Sequence, residues 1–342
     1  MRRNEGSSSL QVMAVLLLLT AITGAAALFI LNARSLGRPS LVDPLDEELL
    51  ATLAELLPLF TPDDPAQPDS LRDPAYGFAK DGYQITVREL SSQINPNWVY
   101  LRLLSETPLS ALFLSADAAE RLVQSRLDDG IATDIATRYA DFFTETAFEK
   151  YLSAYSYPNI DNADAYAIER LVLDCTGDGG AANVIRQEME QKRTAGSPFS
   201  DEELEALLSA QAPDLAGIIG AQPNFNVNCV DPFVLRCLLA YPPLEIPNPA
   251  AKAAALLVVR QTGALTVAQI STISGLEPDH NLFNWLGDKS WFWQVEIRND
   301  SRYLQAILGR SLPRSGQLEP EAGTGSRVFL ISWQTGAIDA GS

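Results

Sequence analysis

The sequence predicts an α+β fold in which a large helical block is inserted between strands of one antiparallel sheet, behind an N-terminal membrane helix. Three observations carry that expectation. Val12 to Leu31 is a nearly unbroken apolar run, and Ser7 to Ala33 holds no charged side chain. From about Thr107 to Pro278 the apolar spacing is helical, whereas on either side it alternates as in strands. A helical block framed by strands that share a sheet is an insertion into an α+β domain.

The first element is long enough to span a bilayer, since twenty helical residues cover about 30 Å. Every backbone amide inside lipid must be paired within its own segment, which a helix achieves. Arg34 ends the run, and Arg2 and Arg3 in the start MRRNEG hold the amino terminus in the cytoplasm. The alternative is a cleaved secretory signal with a small-residue site at Ala25-Ala26-Ala27. The apolar run continues past that site to Leu31, which favours a retained helix. In both cases the rest of the chain is exported.

Leu41 to Phe60 has helical apolar spacing with acidic residues early, as a helix start prefers. Thr61 to Pro74 is rich in proline and aspartate and reads as a loop. Tyr83 to Leu90 alternates after an Asp81-Gly82 turn and reads as an antiparallel strand. The helical runs are Asp117 to Leu127, Asp134 to Tyr151, Ala181 to Arg193, Asp201 to Leu208, Pro232 to Leu239, Pro249 to Arg260 and Thr266 to Ile273. Asp117, Asp134, Ser200 with Glu203, and Thr266 with Gln269 supply capping signals. Strands return at Trp291 to Ile297, Tyr303 to Leu308 and Arg327 to Trp333, with a loop from Pro313 to Ser326 before the last.

Composition narrows the function. Of 342 residues, 25 are Lys or Arg and 43 are Asp or Glu, a net charge of -18. A surplus of carboxylates argues against binding a phosphate backbone. His280 is the one histidine and reads as a loop residue, so neither a His-rich metal site nor a Ser-His-Asp set is available. Cys175, Cys229 and Cys237 fall on the exported side, where disulfides form. Cys175 could bond either of the others, or all three could be buried thiols. LDCTGDGG (Leu173 to Gly180) holds Asp174 and Asp178, with Asp161 and Asp164 upstream, an oxygen-rich stretch that suits calcium or a solvated turn; its spacing is not that of an EF-hand. Trp291 and Trp293 alternate onto one strand face, where they would pack the inserted block on the sheet or bind a carbohydrate. No nucleophile, base and orienting group can be assembled.

Several segments resemble, in order, type II secretion system protein K, a minor pseudopilin family. MRRNEG ending at Gly6 before an uncharged helix resembles a prepilin leader. ITVRELSSQINPNW, with Asn95 and Asn97, resembles the family's first strand and N-x-N turn. FNVNCVDPFVLRCLL, with Asn226 and Asn228, resembles its second N-x-N segment, SPFSDEEL its PF-acidic segment, and LGDKSWFWQVEIRNDSRYLQAIL its terminal hairpin. The chain departs from the family at Cys229-Val230, at Ser7, and where Tyr241-Pro242-Pro243 replaces a Pro-Gly turn.

The resemblance implies a long N-terminal helix continuing into a pilin-like helix packed on an antiparallel sheet, with an inserted all-α domain of helix-hairpin-helix-like units. The domains would be a leader at 1–6, a transmembrane helix at 7–34, the pilin-like helix and first strands at 35–105, the inserted domain at 106–282 and closing strands at 283–342. Prepilin peptidase would cut after Gly6 and leave Ser7 as the methylated amino terminus. Gln11, five after the cut, matches the family's lack of the usual Glu there. The implied role is a non-enzymatic tip subunit that starts assembly of the pseudopilus and supports export. Its partners would be the minor pseudopilins I and J, the peptidase, the inner-membrane assembly platform and exported cargo. The chain would sit in the bacterial inner membrane with its bulk in the periplasm, and relatives allow calcium as a cofactor. The hairpins lack a Gly-x-Gly phosphate-binding turn, which points to protein rather than nucleic-acid contacts. The rival reading is a membrane-anchored periplasmic enzyme or carbohydrate-binding protein.

Overall fold

A computed structural model describes residues 44–60, 68–69, 75–312 and 328–337. The leader, the apolar stretch 7–34 and with them Gly6, Ser7 and Gln11 lie outside the described residues. Among the described residues no helix is long and apolar enough to cross a membrane.

Helix α1 (Pro44–Leu56) runs into a 3-10 turn, Leu57–Phe60. Asp46 and Glu47 sit in its first turn, where backbone N–H groups favour negative charge. Leu49, Leu50, Leu53 and Leu56 form the face it buries. That face lies on a five-stranded antiparallel sheet of β1 (Ala75–Lys80), β2 (Tyr83–Glu89), β5 (Phe292–Arg298), β6 (Arg302–Arg310) and β7 (Val328–Ala337), in that spatial order. Asp81 and Gly82 both have positive φ, the geometry of the tight turn that joins β1 to β2. Ile85, Val87, Trp293, Val295, Ile297, Leu304, Ala306 and Leu308 meet the helix leucines and Phe60 in one core. Each leucine, isoleucine, valine or phenylalanine side chain so taken from water contributes about 1.5–3 kcal/mol.

Strands β2 and β5 are ladder neighbours, with Glu89 opposite Trp293, yet residues 90–291 lie between them in sequence. The insertion is built from one unit used three times. Unit 1 holds α2 (Leu101–Ser105), α3 (Ala118–Asp129) and α4 (Ile135–Arg138), followed by the short α5 (Glu145–Lys150). Unit 2 holds α6 (Ala165–Thr176), α7 (Gly179–Ala195) and α8 (Asp201–Gln211); unit 3 holds α9 (Pro232–Leu239), α10 (Pro249–Arg260) and α11 (Val267–Ser274). Each unit opens at an asparagine and closes by a short parallel pairing. The pairs are Ile94 with Leu152, Asn159 with Gly220, and β3 (Phe225–Asn226) with β4 (Leu286–Gly287).

The opening asparagine folds the chain in the same way each time. Its Oδ1 accepts from the N–H two residues on: Asn97 at 3.0 Å, Asp161 at 2.8 Å and Asn228 at 2.9 Å. The residue so placed then reaches across to the loop before the unit's third helix. Asn97 accepts from the Ala132 N–H at 2.8 Å and donates to the Ala132 carbonyl at 2.9 Å. Asn228 does the same to Leu265, at 2.7 and 3.0 Å. Asp161, a carboxylate, accepts from the Phe199 N–H at 2.9 Å. An arginine ending the second helix caps the turn from behind: Arg126 donates to the Pro96 carbonyl, Arg193 to Ala163 and Arg260 to Val227 and Val230.

Units 1 and 2 are paired reciprocally. Val99 bridges Ala163 in antiparallel fashion, and the Asp164 N–H donates to the Trp98 carbonyl. Arg126 lies 3.6 Å from the Asp164 carboxylate, while Arg193 stacks over the Tyr100 ring at 4.4 Å. Asp164 and Tyr100 hold the same place in their respective units, so the contact is a pseudo-two-fold. Units 1 and 3 share one apolar core, and unit 2 has its own.

The structure corrects several expectations. The run Asp134 to Tyr151 is two helices, α4 and α5, because Tyr139 to Phe143 turn inward to bury Tyr139 and Phe143. LDCTGDGG is not a free loop: Leu173 to Thr176 end α6, and Asp178 caps α7. The hairpin between them does contain a Gly-x-Gly, Gly177-Asp178-Gly179. Its Asp178 carboxylate accepts from the Gly180 and Ala181 N–H groups, which are the donors a phosphate would need. Strand β5 starts at Phe292, so Trp291 precedes it and escapes the alternation.

Replacing Asn228 by Ala would strand the buried N–H and carbonyl of Leu265, each costing about 1–3 kcal/mol. Urea unfolding of Asn228→Ala should show a midpoint clearly below that of the parent, and below that of Asn299→Ala, whose amide serves an exposed turn.

Candidate functional site

The most elaborate polar arrangement lies where the sheet hands the chain to the helical block and receives it back. Glu89 ends β2 and Ser290 precedes β5; between them stand Ser91, Ser92 and, from unit 3, Asn226 and Cys229. Glu89 is 3% exposed, and among the described residues no cation pairs with it. Ser91 Oγ and the Ser92 N–H donate to its carboxylate. Ser91 Oγ in turn accepts from the Trp291 N–H at 3.0 Å, and Ser92 Oγ from the Asn226 N–H at 2.9 Å. Asn226 Nδ2 donates to Ser290 Oγ, also at 2.9 Å. Burial pushes the Glu89 carboxyl up to about 7, against the lowering effect of the hydrogen bonds from Ser91, Ser92 and Ser290.

Beside it a second buried group ties down the end of α1. Arg310, the last residue of β6, forms a two-pronged ion pair with Asp69 at 3.0 and 2.9 Å. Its Nε donates to the Phe60 carbonyl at 3.0 Å, and its guanidinium lies 4.8 Å from the Trp293 ring centroid. Asp69 also accepts from the Ser290 N–H, linking the two groups. Both charges of this pair are thus hydrogen-bonded throughout, the condition under which a buried ion pair is tolerated.

This arrangement is a joint between sheet and helical block. Ser91 and Ser290 are wholly buried and committed to backbone and side-chain partners. Burial, then the charge of nearby Glu89, hold the Cys229 thiol well above its usual range, the opposite of an activated nucleophile. All three cysteines are free thiols; burial likewise raises Cys175 and pushes Cys237 up to about 11.

The other candidate residues are dispersed. Asp161 binds the Phe199 N–H, Asp164 caps α6, Asp174 pairs with Arg170 and Asp178 caps α7. Among the described residues no three His, Cys, Asp or Glu side chains gather where they could hold a metal. His280 caps the 3-10 turn Asn281–Asn284 by accepting from the Leu282 N–H at 3.0 Å. Trp293 is buried between α1 and the sheet, 5.1 Å from Phe60. Packing of the helical block on the sheet falls instead to Phe292 and Trp291 against Tyr155 and Tyr157. Sequence reading missed the third opening asparagine, Asn159, because Asp161 stands where the other two turns have Asn. The signal was present in the nearly even spacing of Asn95, Asn159 and Asn226 along the chain.

No protein-family model matches the chain, and neither does a curated protein. Among solved structures it is similar to a chain in the crystal structure of the GspK–GspI–GspJ complex of the type 2 secretion system from enterotoxigenic Escherichia coli. The similarity covers 85% of this chain and 94% of that one, at 15% identity and a TM-score of 0.31.

Glu89 leaves a signature in stability. Between its ordinary 4.5 and about 7 the unfolded chain sheds a proton that the folded chain keeps. Stability contributed by the protonated carboxyl is therefore lost as pH rises through that window, by on the order of 3 kcal/mol. Denaturation at about pH 5 and about pH 7.5 should show a smaller difference in Glu89→Gln than in the parent. An equal difference in both would place the titration elsewhere.

Proposed function

We propose that the chain is a minor pseudopilin of a type II secretion system, of the protein K kind, a structural assembly subunit and not an enzyme. The observation that carries this reading is the combination of a short charged leader ending at Gly6, an apolar run of membrane length, and a helical block spliced between neighbouring strands of the sheet that packs α1. A helix that leaves a membrane and lies on a sheet gives a subunit able to bundle its apolar rod with sister rods. The block protrudes between β2 and β5 and could not repeat along a thin fibre, which supports a place at the tip. There the subunit would start fibre assembly together with minor pseudopilins I and J.

In this reading residues 1–6 are the leader and 7–34 the membrane helix, with the amino terminus cytoplasmic and the bulk of the chain periplasmic. Prepilin peptidase removes the leader after Gly6, Ser7 becomes the methylated terminus, and the inner-membrane platform lifts the subunit into the fibre. Gln11 suits a tip position, because a subunit with none above it has no terminal amine to neutralise within the apolar bundle. The three helical units resemble helix-hairpin-helix modules, and their acidic caps favour protein contacts, with exported cargo among them.

Two measurements test this. Gly6→Ala should leave the leader attached and abolish secretion; normal processing and export in that variant reject the assignment. The intact mass of the mature parent chain should correspond to loss of six residues and gain of one methyl group. Cleavage near Ala27, or none, would favour the membrane-anchored enzyme or carbohydrate-binding protein.

A further inference from the structure

Unit 2 carries a groove that the assembly role does not use. It has a volume of about 250 Å³ and runs between α8 and residues 213–222, with Leu312 at one end. Its floor is apolar and tightly packed: Leu204, Leu208, Ile219 and Leu312 are each at most 7% exposed. One wall is acidic. Asp201 and Glu205 stand one turn apart on the exposed side of α8, and their carboxylates meet no cation and no hydrogen-bond donor among the described residues. Glu203 between them takes up the local cation, Lys192. Asp201 lies in the first turn of α8, where the helix N-terminus favours it, and Glu205 adds a second negative charge one turn on. Ala216 and Gly217, the latter in the left-handed region at φ 85, also line the groove and bring no long side chain into it.

We propose that this groove docks an extended segment of another protein, one presenting a basic side chain and an aliphatic side chain two residues apart. Residues two apart in an extended chain point to the same side. The aliphatic group would lie on the Leu204, Leu208 and Ile219 floor, and the cation between Asp201 and Glu205. A bare metal ion fits poorly, because two carboxylates on one helix offer too few oxygens. An acidic segment would be repelled by the rim and by the net charge of -18.

The test titrates the detergent-solubilised full chain into a fluorescein-labelled GRALGS peptide and reads anisotropy. Saturable binding is expected, weakened about fivefold to tenfold by Asp201→Asn with Glu205→Gln and lost on Ala216→Trp, which fills the open side. Removing two carboxylates from another exposed helix, Glu145→Gln with Glu149→Gln, should leave it unchanged. Equal weakening by that control pair would reduce the effect to overall charge. Equal affinity for GEALGS, or no saturable binding because the chain's own residues beyond Leu312 fill the groove, also overturns the proposal.

Discussion

A side-chain amide offers the same donor and acceptor as a peptide group, and the helical block depends on that equivalence. Asn97 and Asn228 each hold both backbone groups of one residue in a loop that would otherwise bury them unpaired. The clamp sets where the third helix of a unit begins, and Asp134, Ser200 and Thr266 then cap it. Asp161 performs half the task, since a carboxylate can accept but has no N–H to return. Burial pushes its carboxyl up to about 6, with the Phe199 hydrogen bond acting against that rise.

The joint to the sheet follows from the same geometry. Units 1 and 2 satisfy each other through Val99, Ala163 and the crossed arginines, which leaves unit 3 as the odd copy. Its corresponding residues, Cys229 and Val230, are buried, and Cys229 lies 3.9 Å from Ser290 of the sheet connection. Polar side chains hold that attachment: Asn226 donates to Ser92 through its N–H and to Ser290 through its side-chain amide. Arg310 extends the network to the end of α1 through the Phe60 carbonyl. Helix, sheet and block thus meet at one buried set of hydrogen bonds.

How much of this could be read from the sequence depended on whether a signal was local. Pro232 and Pro249, each at a first helical position, fixed the bounds of two helices to the residue. The capping boxes at Ser200 and Thr266 did nearly as well, and the insertion between strands was visible from periodicity alone. Helix α6 was hidden by the acidic and glycine-rich residues that follow it, although Ile168, Leu171 and Val172 already have helical spacing. Strand β1 was missed because AYGFAK alternates weakly around a glycine. The joint was illegible for a different reason: Asp69, Glu89, Cys229, Ser290 and Arg310 are brought together only by the tertiary fold. The acidic groove was equally hidden, since Leu312 arrives there from the end of β6.

The two ends of the insertion emerge side by side, next to Glu89 and Trp293, which face each other on one rung of the ladder. A pleated sheet is indifferent to what its hairpin loop contains, provided the loop returns within one strand spacing. The ladder therefore leaves the length of the block open, while the contacts of Asn226 with Ser92 and Ser290 fix how the block must meet the sheet.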